Sequence, residues 1–348
     1  MPLPPSPSEQ IRFLQQLQRV LDEGAFVATY KYALLHAIAD LCVRLGDDSG
    51  APLELRTRDI AERFVELYWP QVVPFPAGEE PDVFRQNTGR QAAIVRRIRE
   101  TRERYAGSLA YLKHDKREWG ELVGAVDRTV CTMPLWKLQT VGQKQIEFLY
   151  ENLGRGRRIT LNPGVAYCFR AFYPMITDMV EGAWAQYVRR YNREVLGETT
   201  DLRGFLFGSE RAPLLRYRPI LEDIQDGRCF YCDERLRGQT DVDHFIPWRR
   251  YPVDLGHNFV LAHGACNAHK GDRLAAEPHL RRWSDRNREW SELLAERFEA
   301  TGVLHDVTVS VRVARWAYGQ VERAGGQVWV ERSVLRPLGE GWAGALAG

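Results

Sequence analysis

Residues 229–272 read CFYCDERLRGQTDVDHFIPWRRYPVDLGHNFVLAHGACNAHKGD, and the reading of this stretch decides the fold of the C-terminal part of the chain. Cys229 and Cys232 form a C-x2-C turn, and His263 and Cys266 form an H-x2-C turn further along. Two short ligand pairs with a longer connection between them have the spacing of a tetrahedral zinc ion held by two knuckles. Four protein ligands leave no open corner for water or substrate, so such a zinc is structural. A hydrolytic metal in this region therefore has to be a second ion. Should His263 not be a ligand, His257 or His269 is the substitute, although neither has the knuckle spacing.

Between the knuckles lies Asp241-Val242-Asp243-His244-Phe245-Ile246-Pro247, where Val242, His244 and Ile246 alternate as in a short strand. Asp243 and His244 point to opposite faces of a regular strand, so the chain must bend nearby if both serve one phosphate. The joint pattern of C-x2-C, D-H-x2-P, Asn258, H-x2-C-N and Lys270 resembles the HNH (ββα-metal) endonucleases. The resemblance covers residues 229–272, and the rest of the chain is only loosely like bacterial restriction and phage-defence nucleases of that family. It implies that Asp243 binds a catalytic divalent ion and that His244 is the general base. Imidazole suits that role because it exchanges protons near neutrality. By the same resemblance Asn258 orients the base, Asn267 is the second protein ligand of the catalytic metal, and Lys270 contacts a neighbouring phosphate. His269 is a lesser candidate for the second ligand. One carboxylate, one amide and waters suit Mg2+ or Mn2+, and the products implied are a 5′ phosphate and a 3′ hydroxyl.

Length and composition set the frame. The 348 residues suffice for two or three domains with proper cores, and a chain 44% hydrophobic and 27% charged is of ordinary globular type. No apolar run approaches the roughly 20 residues of a membrane span, so no membrane partner is expected. The start, MPLPPSPSEQ, lacks the basic-then-apolar order of a secretory signal. Three of the six cysteines belong to the knuckles; Cys42, Cys131 and Cys168 sit in apolar surroundings and read as free thiols of a cytoplasmic protein. Net charge is only +2, so overall charge does not announce a nucleic-acid binder. Locally, Arg85 to Arg117 holds ten Lys or Arg against three Asp or Glu. Arg96 and Arg97 either track a phosphate backbone or lie on the solvated side of an amphipathic helix whose apolar side carries Ile94, Val95 and Ile98. Arg249 and Arg250, in the loop after the Asp-His pair, are further candidate DNA contacts.

The expected fold class is mainly α, with a small α+β HNH (ββα-metal) nuclease domain and a helical N-terminal region. Residues 1–125 form the helical N-terminal domain. Ser8 is a candidate N-cap and Gly24 a break; Thr57 caps a helix ending before Pro70, and with residues 86–100 that helix is compatible with a helix-turn-helix or winged-helix unit. Residues 126–200 form a mixed α/β connection. It has strand-like MPLWKLQT and RRITLNP, a short helix over 143–151, and a long aromatic-rich helix from Pro163 to Tyr191 with Arg189, Arg190 and Arg193 at its end. Residues 201–300 form the nuclease domain. Two further helices over 278–325 turn Trp283, Trp290, Leu293, Leu294 and Phe298 inward, residues 301–348 form a C-terminal helical extension, and GGQVWVERSVL adds a strand or packs loosely. The function this implies is a metal-dependent endonuclease on duplex DNA, in bacterial restriction or phage defence, with a protein partner or homodimer possible. A monomer nicks; a dimer cuts both strands. The alternatives are an RNA nuclease of the same fold and an inactive zinc-stabilised DNA-binding or adaptor module.

Overall fold

Ser6 opens the first helix with a capping box: its hydroxyl accepts from the Glu9 amide while the Glu9 carboxylate accepts from the Ser6 amide. The cap is thus Ser6 rather than Ser8, because the helix already begins at Pro7, a residue favoured in the first turn. The computed structural model describes residues 2–24, 26–75, 83–89, 92–152, 156–194, 196, 201–208 and 214–347. The chain divides into two units, Met1–Glu210 and Arg211–Gly348.

In the first unit the elements run α1 (Pro7–Glu23), α2 (Tyr30–Leu45), β1 (Leu53–Arg56), α3 (Thr57–Tyr68), α4 (Ala93–Arg104), α5 (Leu109–His114), α6 (Lys116–Thr132) and α7 (Pro134–Lys137). They continue with β2 (Thr140–Val141), β3 (Lys144–Gln145), β4 (Arg158–Leu161), α8 (Val165–Ala171), α9 (Tyr173–Tyr191) and α10 (Leu202–Phe207). Every residue of α2 from Lys31 to Val43 is buried. A helix apolar on most sides belongs inside, and α3, α8 and α9 pack around it. Its acidic member, Asp40, is fully buried and answered by Arg44 at 2.6 Å and Arg63 at 2.8 Å, as a buried carboxylate requires.

The pieces 1–125 and 126–200 expected from the sequence do not separate: α6 crosses 125/126, and β1 pairs antiparallel with β4 from Leu53↔Leu161 to Arg56↔Arg158. The expected helix over 143–151 does not form: Lys144–Gln145 belong to a tight β2–β3 hairpin whose turn uses Gly142 at φ 58°, a conformation that suits glycine, and Tyr150 bridges Leu161. Pro134 starts a short helix where MPLWKLQT read as a strand. The helix from Pro163 to Tyr191 is two helices, interrupted at Phe172 and restarted with Pro174 in the first turn of α9. The aromatics of that region pack inward, with Phe169, Tyr173 and Trp184 almost fully buried. Helices α3 and α4 are joined by all of 69–92 rather than by the three- or four-residue turn of a helix-turn-helix. Tyr68 and Trp69 complete the core. On α4, Ile94, Val95 and Ile98 are buried while Arg96 and Arg97 are exposed; Arg90 of the basic run lies outside the described residues, as does 209–213.

The second unit runs α11 (Arg218–Ile224), β5 (Thr240–His244), β6 (Phe259–His263), α12 (Gly264–Lys270), α13 (Glu277–Glu289), α14 (Ser291–Ala300), α15 (Val307–Arg323), β7 (Gln327–Glu331), β8 (Val334–Pro337) and α16 (Trp342–Ala345). Its core gathers Tyr217, Ile220, Leu221, Val242, Phe259, Leu261, Leu294, Phe298 and Val303. The stretch 278–325 thus holds three helices, and Trp290, at the joint between α13 and α14, is 37% exposed rather than inward. The tail forms a hairpin, β7–β8, whose Trp329 is buried and bridges Ala275. Residues 201–300 and 301–348 are accordingly not separate bodies: α14, α15 and this hairpin share one unit. Over the described residues no helix is long and apolar enough to cross a membrane.

Beside the core, Gly256 leaves room for Phe298, whose Cδ2 would lie 2.6 Å from any Cβ placed there. Next to it, His257 is 1% exposed and neither ring nitrogen has a hydrogen-bond partner among the described residues. Burial, with Arg286 and His305 adding to it, pulls this imidazole down from 6.5 to about 3. The fold favours the neutral ring, so its stabilisation is complete above pH 6.5 and is lost as pH falls toward 3, by about 1.4 kcal/mol per pH unit. Thermal melts across that range should show His257→Leu with a shallower loss of stability than wild type. Parallel curves would place the acid sensitivity elsewhere.

Candidate metal centre and active site

The β5–β6 hairpin sets the positions of all the candidate groups. Its strands pair antiparallel with Thr240 opposite His263 and His244 opposite Phe259, and α12 follows β6 without a linker. Val242 enters the core, so by alternation Asp241 and Asp243 share the other face of β5.

At the Thr240–His263 end, Cys229, Cys232, His263 and Cys266 offer ligand atoms that all lie within 4.8 Å of one another. A tetrahedron with zinc–sulfur and zinc–nitrogen bonds of usual length has edges of roughly 3.4–3.8 Å. Cys232 Sγ and His263 Nδ1 are 3.4 Å apart. The His263 Nε2 donates to the Arg235 carbonyl at 3.1 Å, which fixes the ring with Nδ1 toward the cluster. The backbone amide of His263 donates to Cys229 Sγ at 3.4 Å. Burial, then the charges of Cys229 and Cys232, push the Cys266 thiol up to about 12; crowded thiols of this kind ionise when a cation joins them. These four residues can hold a metal ion such as zinc. Of the alternatives, His257 is buried beside Phe298 and His305, outside this group.

At the other end, Asp243 and His244 diverge as strand alternation requires. The Asp243 Oδ2 accepts from the Tyr231 hydroxyl at 2.5 Å and from Lys270 Nζ at 2.9 Å. Tyr231 keeps its proton because burial, followed by the Asp243 charge, raises its phenol well above the usual range. His244 packs between Trp248 and Phe259, and its Nε2 lies 2.7 Å from Asp254 Oδ1. A carboxylate only accepts, so Nε2 carries the proton and Nδ1 keeps its lone pair. Asn258 is 5% exposed and clasps Ile246 from both sides, accepting from its amide at 2.7 Å and donating to its carbonyl at 2.9 Å. It therefore acts on the loop that follows His244 and not on the ring. Trp283 stacks on Phe245 and donates to the carbonyl of His257, anchoring the same loop.

Asn267 donates to Asp241 Oδ2 at 3.2 Å, so α12 brings its amide to the carboxylate two residues before Asp243. The partner of the Asn267 amide is thus Asp241, which shares a face of β5 with Asp243. Lys270 differs from its expected role. Its side chain is wholly buried and its ammonium is spent on Asp243 and on the carbonyl of His244, 2.9 Å away, so it does not face a strand of nucleic acid. The reason is charge: a carboxylate at the foot of the hairpin needs a buried counter-ion. Arg249 is exposed, 3.7 Å from Asp272, whereas Arg250 is half-buried and burial lowers its pKa. Sequence reasoning missed Asp254, Tyr231 and Asp241. Alternation with Asp243 could have pointed to Asp241; nothing in the spacing marks the other two.

A model of a family described as a domain of unknown function, DUF8808, matches residues 10–202, more than half of the chain. The chain belongs to this family. The DUF8808 match covers nearly all of the first unit and ends before the hairpin, so the candidate site lies on the part of the chain that the family model does not reach. No curated protein matches, and no solved structure does.

Proposed function

We propose that the second unit hydrolyses phosphodiester bonds in nucleic acid, with duplex DNA as the substrate class, as the HNH-like pattern implies. The observation that carries this reading is the His244–Asp254 pair, whose Nε2 and Oδ1 lie 2.7 Å apart. Asp254 holds Nε2–H, which aims the lone pair of Nδ1 away from the carboxylate and leaves it as the proton acceptor for an attacking water. Asp254 then stabilises the imidazolium that results. Asn258 fixes the loop so that His244 and Asp254, ten positions apart in sequence, meet. Mg2+ or Mn2+ held by Asp243 and Asn267 would supply charge stabilisation at the phosphate and the leaving 3′ oxygen. Buried Lys270, 2.9 Å away, is the counter-ion of Asp243. A setting in bacterial restriction or phage defence follows from the family likeness alone.

The test is relaxation of supercoiled plasmid by the full chain with Mg2+ or Mn2+, with and without excess chelator, alongside a structured RNA. Metal-dependent nicking that Asp243→Asn removes supports the reading. Cleavage of RNA but not plasmid would transfer it to the RNA substrate. A folded, zinc-loaded protein that cuts neither is the result expected of the inactive binding module.

A further inference from the structure

Tyr231 stands between the knuckle cysteines Cys229 and Cys232, yet its hydroxyl reaches Asp243 on β5. The turn that carries it is pinned on both sides. Phe230 donates its amide to the Leu261 carbonyl of β6 at 2.9 Å, and the Asp233 amide closes back on the Cys229 carbonyl at 3.0 Å. The Tyr231 ring is buried and meets His279 of α13 and Trp329 of β7 edge-on, with centroids 5.5 and 5.2 Å away. His279 and Trp329 are themselves stacked, so two elements from outside the hairpin set the direction of one hydroxyl. That hydroxyl donates to Asp243 Oδ2 at 2.5 Å, and Lys270 Nζ lies 2.9 Å from the same oxygen. Oδ2 thus takes two donors, whereas Oδ1 has no hydrogen-bond partner among the described residues. An ionised carboxylate accepts at both oxygens, so this one is held by one oxygen and keeps the other for a ligand.

We infer that Tyr231 is a positioning residue for Asp243: it engages Oδ2 so that the carboxylate presents Oδ1, in one orientation, to a divalent ion. This rests on the proposed reading of Asp243 as a ligand of Mg2+ or Mn2+. Lys270 acts on the same oxygen as a point charge, whereas the phenol brings a single directed donor. The turn that carries two of the zinc-cluster cysteines therefore also orients the carboxylate of the second site. The test is Mn2+ binding by the full chain prepared with zinc, read from the electron paramagnetic resonance signal of the free ion. Wild type is compared with Tyr231→Phe, which keeps the buried ring, and with Asp243→Asn. A third variant, Tyr318→Phe, removes a different buried hydroxyl of the same unit, one that donates to the Ala275 carbonyl at 2.6 Å. Zinc content and circular dichroism are measured for each. Tyr231→Phe is expected to raise the Mn2+ dissociation constant about 10- to 100-fold with zinc and fold retained, the usual cost of removing a group that orients a metal ligand. Asp243→Asn should bind more weakly still, and Tyr318→Phe as wild type does. Wild-type affinity in Tyr231→Phe, with the site weakened in Asp243→Asn, overturns the role of Tyr231 and leaves that of Asp243 standing. Unchanged binding in Asp243→Asn, or no binding by wild type, removes the metal-ligand reading and the inference with it. An equal loss in Tyr231→Phe and Tyr318→Phe, or loss of zinc or fold from Tyr231→Phe, shows a structural hydroxyl and overturns the inference.

Discussion

Replacing His244 by alanine is expected to lower the rate of metal-dependent plasmid nicking by about 10³-fold, within the usual contribution of a general base, while KM stays the same. The expectation rests on where the ring sits. Its contacts with Phe259 and Trp248 and its bond to Asp254 hold it in one orientation, and no substrate-binding role is needed to explain its placement. Asp254→Ala should reduce the rate in the same direction but less, by about 10- to 100-fold, the usual effect of removing a group that orients a functional histidine. Asp254→Asn should recover part of that loss, because an amide oxygen can still accept from Nε2–H. If the asparagine variant were no better than alanine, the carboxylate charge rather than ring orientation would be what matters. If His244→Ala kept its rate, His244 would not be the base.

The sequence made some of this site legible and hid the rest for a physical reason. Cys229, Cys232, His263 and Cys266 announce themselves because metal geometry demands short, fixed spacings within a turn, and the structure gathers those four. The strand at Thr240–His244 was visible as alternation, which also separates Asp243 from His244. Asp254 was invisible. It meets His244 only because the loop between β5 and β6 is folded back by the Asn258 clasp and the Trp283 stack, and no local pattern encodes such a path. Lys270 was misplaced for a related reason. A lysine at the end of a metal-binding helix reads as a surface cation until burial is known, and here it is 0% exposed. In the first unit the β1–β4 pairing joins Leu53–Arg56 to Arg158–Leu161, far apart in sequence, so a boundary at residue 125 cuts through one body.

Removing the metal from the four-residue cluster is expected to unfold the second unit while leaving the first folded. The cluster ties the turn at Cys229–Cys232 to the end of β6 at His263 and to the first turn of α12 at Cys266. The hairpin has only two strands, and such a pair is marginal in water without something packed or bound across it. Structural zinc contributes about 10 kcal/mol or more in small zinc domains near neutral pH, comparable to the whole stability of a typical domain. Cys266→Ser removes one donor from the first turn of α12, the helix that carries Asn267 and Lys270. Loss of zinc should therefore carry off both the metal cluster and the His244 end of the hairpin. Metal analysis should find one zinc per chain in wild type. Chelation should release it together with part of the helical signal, and limited proteolysis should then leave a fragment close to Met1–Glu210. His263→Ala that still held one tightly bound zinc per chain would show the ligand set to be wrong. A chelated protein that kept a protease-resistant second unit would show instead that Trp283, Phe245 and the β7–β8 hairpin suffice to hold the site, with the metal tuning it and not building it.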